Sequence, residues 1–441
     1  MKKSIIYSKA VITILFLALI YSVSIFFTKD LINNNVNNND LAIIDYLTSF
    51  ENWNEKGLSH YKYAPVLTWQ NEGDKFIAYY KRLEDKEGNN FYVSYGPLSY
   101  YTIYLLSSMF QDVPDKLFIL LFAMLWHFLG AILVFLIIIK ICNLRFSITS
   151  LPALFGFIVY TFSAPLLYSN IFHFFAENFV LPLALLSILF FIDYIKSEFR
   201  LKRFMYLSVF FCFLSIYSEW YGVFLAFVFF LMLFINRKNN KRVLLDMLVV
   251  GIVSALAVAV IVFQYSIISG IGDLKSSMSL RFLERSGYFG NTYSDQRMSL
   301  INPEAYKLLF WQFHKSFVPF GYFIIALFII FRIRKIKYEI IEKKSLFLLF
   351  TPLALHFLIF FNANVLHFFY MSKLIMVMSI FGAIILNKFM SLYRTHLINI
   401  SFMIISAILI FISFIHYNNI KTIDNKSAEL DKIAKIITDN A

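Results

Sequence analysis

The fold class this sequence predicts is an all-α polytopic membrane protein of about 11 transmembrane helices, and three observations predict it. The chain has 441 residues, of which 59% are hydrophobic and only 15% charged; soluble domains carry about 25% charged residues. Apolar runs of spanning length recur along most of it. The short loops between alternate runs are strongly basic, as in "KSEFRLKR", "NRKNNKR" and "RIRKIK".

Taken in order, the spans fall at 11–28, 115–139, 148–168, 178–195, 204–218, 221–236, 243–266, 317–331, 345–361, 368–387 and 397–416. The first follows Lys2, Lys3 and Lys9 and has no small-x-small cleavage site after it, so it reads as an uncleaved helix. The stretch 204–236 is long for one helix; both flanks are basic, so it crosses twice, with "SEWYG" at the tip. The loops starting at Lys140, Lys196, Arg237, Arg332 and Lys388 are assigned to the cytoplasm with the N-terminus. An uneven number of spans then puts the C-terminal tail, 417–441, outside, where "AELDKIAKII" reads as a short amphipathic helix. This is the pattern of a multi-pass plasma (inner) membrane protein. The net charge of +13 collects on the cytoplasmic side and calls for no nucleic-acid partner. Cys142 and Cys212 lie in or beside helices and suggest no disulfide framework.

The chain reads as a single integral domain with extracytoplasmic loops at 28–114 and 266–316. Connectors need only a few residues, so loops of this size carry function. The first opens with "NNNVNNND" and continues into a helix for which Asp40 is a good N-cap and Gly57 a natural stop. Leu41, Ile44, Leu47, Phe50 and Trp53 share one side of it, which is expected to lie on the membrane surface. The loop closes on "FYVSYGPLSYYTIY", with a turn at Gly96-Pro97 before another short helix. Tyr101 and Tyr104 fit an interfacial aromatic belt.

A helix-opening Asp soon after the first span, and an aromatic Pro-Leu-Tyr element leading back to the membrane, together resemble the polyprenyl-phosphate-sugar-dependent glycosyltransferases of the GT-C class. Protein O-mannosyltransferases and the lipid A aminoarabinose transferase are members. The likeness is carried by Asp40 and by Gly96-Pro97-Leu98 with Tyr100 and Tyr101. Leu41 stands where the family often has Glu, Gly96 replaces the first proline of its Pro-Pro-Leu-x-Tyr-Trp element, and Tyr95 replaces a frequent lysine. The resemblance implies a sugar moved from a polyprenyl-phosphate donor to an acceptor hydroxyl on a glycan, lipid or protein at the extracytoplasmic face.

That chemistry needs a carboxylate to take the acceptor proton, cations to bear the leaving phosphate, and an apolar groove beside a polar pocket. Asp40 is the candidate base and Asp45 the fallback; Asp30 suits the interface. For the donor phosphate the sequence offers Arg281 and Arg285, one helical turn apart, with Arg297 and Lys373. Lipid headgroup contact or snorkelling would use the same cations. Tyr92, Tyr95 and Tyr100 flank the turn and suit a sugar face. His173 and Glu177 in "FHFFAENF", Glu219 and Trp220 in "SEWYG", and His367 all fall at outer helix ends, where capping is the ordinary use and a sugar pocket the functional one. His127 and His356 fall mid-helix and read as packing residues. No spacing resembles a structural zinc site, and the chemistry calls for no cofactor beyond, at most, a divalent cation. Expected partners are the lipid-linked sugar, the acceptor and membrane lipids. A lipid-linked sugar flippase or transporter would place charges deep in several spans; an O-antigen-type polymerase or ligase would put its outer mass in a later loop; a scaffold would need neither large loop.

Overall fold

The computed structural model describes residues 2–34, 41–69, 75, 83–110, 113–169, 174, 176–237, 243–287, 300–393 and 396–423. Helix α1 (Lys2–Asn34) carries the first span, Lys9–Phe26. The asparagine run beyond Asn34, and the N-cap expected of Asp40, lie outside the described residues. Helix α2 (Leu41–Lys56) stops at Gly57, whose φ is +85° and whose N–H donates to the Trp53 carbonyl at 3.0 Å. Only glycine adopts that backbone without penalty.

Of the α2 face expected on the membrane surface, Phe50 and Trp53 are instead buried by the chain itself, together with Ile43 and Tyr46, while Ile44 and Leu47 are half-buried. The poorly readable stretch after Gly57 folds back along α2. Ser49 Oγ donates to the Val66 carbonyl at 2.8 Å, Asn52 Nδ2 to that of Thr68 at 3.0 Å and Trp53 Nε1 to that of Ala64 at 3.1 Å. A short antiparallel ribbon follows, β1 (Leu83–Glu84) and β2 (Asn90–Phe91), with Leu83 opposite Phe91. Asp85 holds its turn by accepting the N–H groups of Glu87 and Asn89, both at 2.9 Å. Helix α3 (Leu98–Ser107) starts after Pro97 and lays Tyr100 on Tyr46, rings stacked at 4.0 Å. Tyr101, expected in an aromatic belt, instead ties this loop to the bundle: its hydroxyl donates to the Tyr63 carbonyl and accepts from Gln264 Nε2 at 2.5 Å.

In the bundle, α4 (Lys116–Cys142) is capped by the Asp115 carboxylate, which accepts the Phe118 N–H at 2.7 Å. The single span expected at 148–168 is broken at Ser163 into α5 (Leu151–Phe162) and α6 (Ala164–Leu167). After α7 (Ala176–Lys196), α8 (Lys202–Ser218) and α9 (Tyr221–Asn236) form the hairpin that their basic flanks demand, with Glu219 and Trp220 at the tip. Then come α10 (Val243–Ser269) and α11 (Ile271–Ser286). Helices α12 (Pro303–Phe317) and α13 (Phe320–Ile333) are bent by 93° to each other. Helix α14 (Ile340–Ile359) leads into α15 (Phe361–Leu366), a turn of 3-10 helix at Phe368–Tyr370, α16 (Met371–Leu392) and α17 (His396–Ile423). The amphipathic tail segment lies outside the described residues. Cys142 and Cys212 are both free thiols.

Burial separates centre from rim. The spanning windows of α7 and Phe368–Leu392 are 83% buried and that of α4 61%, against 22%, 28% and 33% for α1, α10 and α17. Among the described residues, 6 helices are long and apolar enough to cross a membrane, or 7 with the bent pair. A helix occupies every stretch predicted to span, but α5, α8, α9 and α13, at 12, 17, 16 and 14 residues, are shorter than the roughly 20 residues of a full crossing. At the end assigned to the cytoplasm, basic residues are pinned by acids: Lys140 donates to Asp193 at 2.8 Å and Lys202 to buried Asp246 at 2.7 Å.

Gly96 joins the first loop to the bundle by close approach. A Cβ there would lie 2.0 Å from the Tyr217 carbonyl oxygen at the end of α8, whereas one at Gly251 meets nothing within 4 Å. Gly96→Ala is therefore expected to destabilise the protein by about 1–3 kcal/mol. Gly251→Ala, in a helix interior, should be neutral or slightly stabilising. Thermal unfolding of the two variants checks this, and equal melting points would refute the close approach.

Candidate active site

Burying a carboxylate is costly unless it is hydrogen-bonded or paired, and the helix ends around Gly96 bury Glu177 and Glu219 at 6% and 1% exposure. Glu177 stands in the first turn of α7. Its Oε1 accepts from the Tyr95 hydroxyl at 2.7 Å, and the Tyr370 hydroxyl lies 3.5 Å from the same oxygen and bonds to that of Tyr95. Tyr265 donates to the Tyr95 carbonyl at 2.7 Å, fixing the loop. Burial pushes the Tyr95 phenol well above its ordinary pKa, so it remains a donor. The Arg285 guanidinium from α11 lies over the Tyr95 ring, 4.2 Å from its centroid.

Glu219 is held differently. Its Oε1 lies 3.4 Å from His356 Nε2 and its Oε2 lies 3.7 Å from Lys373 Nζ, while the Tyr221 N–H donates to it at 2.9 Å. Burial alone would raise its carboxyl pKa; Lys373, then His356, outweigh burial and hold it down at about 2. Asn364 Nδ2 meets the far ring nitrogen of His356 at 3.3 Å and donates to the Phe360 carbonyl at 2.8 Å. Tyr370 joins the clusters: its hydroxyl faces Glu177, and Lys373 Nζ sits 4.5 Å from its ring centroid.

Beside them runs a groove of about 720 Å³, walled largely by apolar side chains such as Phe224, Phe282 and Phe360, with Arg281 and Arg285 along it. Trp220 lines it too, oriented by a 2.8 Å bond from its Nε1 to the Ser94 carbonyl. Arg281 pairs with Glu284 at 3.1 Å through Nη1, and its Nε is buried with no partner among the described residues. The hydroxyl of Ser94, on the same groove, is likewise buried and unpartnered.

The structure thus brings Tyr92, Tyr95, Glu177, Arg281 and Arg285 together. Burial, then Glu177, raises the Tyr92 phenol to about 12, with Arg285, Arg281 and Asp45 among the other charges acting on it. Asp45, on α2, is half-buried near this group. Other residues expected at the site have different surroundings. Tyr100 lines no described cavity; it packs on Tyr46. Gly96 and Pro97 shape the turn and are buried. Lys373 does not line the groove but compensates Glu219. Glu219 is accordingly engaged by the Lys373 ammonium and the His356 ring. His367 borders a different cavity. Asp40, His173 and Arg297 lie outside the described residues. His127 is a buried packing residue, bonded to Tyr21 at 3.2 Å, but His356 belongs to the site. It and Tyr370 were missed, His356 because the apolar run continues past it into α15. Among the described residues no group of three or more His, Cys, Asp and Glu could hold a metal ion.

No protein-family model and no curated protein matches the sequence. Among solved structures, the chain is similar to the archaeal oligosaccharyltransferase AglB from Archaeoglobus fulgidus, in complex with an inhibitory peptide and a dolichol-phosphate, with a TM-score of 0.55 at 13% identity. The likeness covers 95% of this chain and 56% of that one, so this chain spans little more than half its length. The chain has the fold of a GT-C glycosyltransferase.

Because the Glu219 pKa is depressed on folding, its stabilisation is present above the ordinary glutamate value of about 4.3 and is lost as pH falls through about 2. The melting temperature should therefore fall more steeply between about pH 5 and pH 3 in the wild type than in Glu219→Gln. Parallel pH profiles would refute the ion pair.

Proposed function

We propose that this protein is a membrane glycosyltransferase that moves a sugar from a polyprenyl-phosphate donor to an acceptor hydroxyl at the extracytoplasmic face. The observation that carries the reading is the apolar groove with two arginines on its wall, beside a buried cluster of carboxylates and phenols. A lipid phosphate has that same division, a greasy chain and an anionic head, and roughly 300–1,000 Å³ is the ordinary size of such sites.

In the transfer, the acceptor oxygen forms a bond to the anomeric carbon as the bond from that carbon to the phosphate oxygen breaks. The electron pair leaves with the phosphate, whose charge Arg285 and Arg281 meet. The acceptor proton passes to a carboxylate: Asp40 is the base proposed, with Asp45 next in line. Glu177, locked by Tyr95 and Tyr370, supplies negative charge near the oxocarbenium-like carbon. The fold similarity supports this class of reaction, and the basic loops support an outward-facing site.

The test is sugar transfer in reconstituted membranes from labelled polyprenyl-phosphate sugars. Asp40→Asn should lower kcat by about 10²–10⁴; retained activity removes Asp40 as base, and loss on Asp45→Asn instead would move the role there. Arg285→Lys keeps the charge but loses the planar face over Tyr95, and should lower kcat/KM by about tenfold or more. Transfer from none of the labelled donors by the wild type would overturn the reading.

A further inference from the structure

A second cavity, of about 360 Å³, opens on the segment that links α15 to α16. Gln312 and Lys315 of α12 form one side, and His367, Phe368 and Phe369 another. It shares no lining residue with the groove. Tyr370 stands between the two. Its ring packs in one cluster with Phe360, Trp220 and Phe224, which line the groove, and lies 6.1 Å and 4.8 Å from the rings of His367 and Phe369. Its hydroxyl reaches Tyr95 and Glu177.

The polar groups of this cavity have capacity left. Gln312 Nε2 is 3.2 Å and 3.3 Å from the carbonyls of Val365 and Leu366, which fixes the amide. Its Oε1 is buried with no partner among the described residues. Lys315 pairs with no carboxylate among the described residues; its ammonium lies 5.7 Å from the Trp311 ring centroid. Aromatic faces, a fixed amide acceptor, an imidazole and a cation make a set suited to a sugar ring that carries negative charge.

We propose that this cavity is the acceptor port, and that the acceptor is an anionic carbohydrate, its acid group on Lys315 and a hydroxyl on Gln312 Oε1. The assignment of the port as the acceptor's rests on the transferase reading; the binding itself does not. A reaction of two substrates needs separate entries, and Tyr370 packs against residues that line each of these cavities.

The experiment is a binding titration of the full chain in nanodiscs, read by Trp311 fluorescence as the difference between wild type and Trp311→Phe. Methyl glucuronide and glucose 6-phosphate should both bind saturably, and methyl glucoside at least about tenfold more weakly, the discrimination expected of one charged hydrogen bond. Lys315→Gln should remove the preference for the charged sugars. Equal binding of charged and neutral sugars, a preference that survives Lys315→Gln, or no saturable binding would each overturn the proposal. Inorganic phosphate binding as tightly as glucose 6-phosphate would also overturn it, since the site would then read only charge. No donor lipid is present, so the result is independent of whether transfer occurs. Wild-type turnover of the lipid donor with a negative titration would sink the port alone; the converse would sink the transferase.

Discussion

The arrangement depends on the burial of two carboxylates at the ends of helices. Glu177 and Glu219 are almost wholly excluded from solvent, where an uncompensated charge would cost several kcal/mol. Each must therefore draw donors or cations from other elements, and the elements that answer are distant in sequence. Glu177 takes Tyr95 from the first loop and Tyr370 from the start of α16; Glu219 takes His356 from α14 and Lys373 from α16. The first loop is thereby fastened to the bundle centre. Tyr370 carries both obligations at once, through its hydroxyl and its ring face.

That fastening explains why the first loop is so aromatic. The buried rings of α2 and α3 pack on each other and form one cluster with α4 and α10, with Tyr46 on Tyr100 and Phe122 near Phe174. Gly96 lets the backbone touch the end of α8, and the Trp220 indole then reaches across to Ser94. Both contacts put the Tyr95 segment beside the α8–α9 tip and so beside the groove. The tyrosines divide by this geometry: Tyr100 is packing, Tyr101 a tether, Tyr95 a donor.

Much of this was legible in the sequence, and the limits have physical reasons. Spans could be placed because hydropathy is local, and the α8–α9 hairpin because its flanks are basic. Glu177, Glu219 and Trp220 stood out as polar or amphipathic groups at helix ends. His356 did not, because an apolar run continues past it; the chain leaves α14 at Ile359 and turns through α15, a break no composition signal marks. The partner of Lys373 was not legible for a related reason. A lone cation near a span end is visible, but the carboxylate that neutralises it lies on another hairpin. The ribbon β1–β2 was unreadable because its strands are 2 residues each.

Charge accounting then locates the anion site. Of the basic groups near the groove, Lys373 is matched by Glu219, and His356 shares that carboxylate. Arg281 is partly matched by Glu284 but keeps its Nε unpartnered among the described residues, and Arg285 faces a ring and no described carboxylate at ion-pair distance. The capacity to receive new negative charge therefore resides on α11, which is set off from α10 by Gly270 and ends at left-handed Gly287. It is a polar helix that forms one side of an apolar groove, while Lys373 of α16 faces Glu219. An anion bound there would meet Arg285, whose alternative partner is the Tyr95 ring, so binding to it breaks no buried ion pair, while Arg281 would share its charge with Glu284.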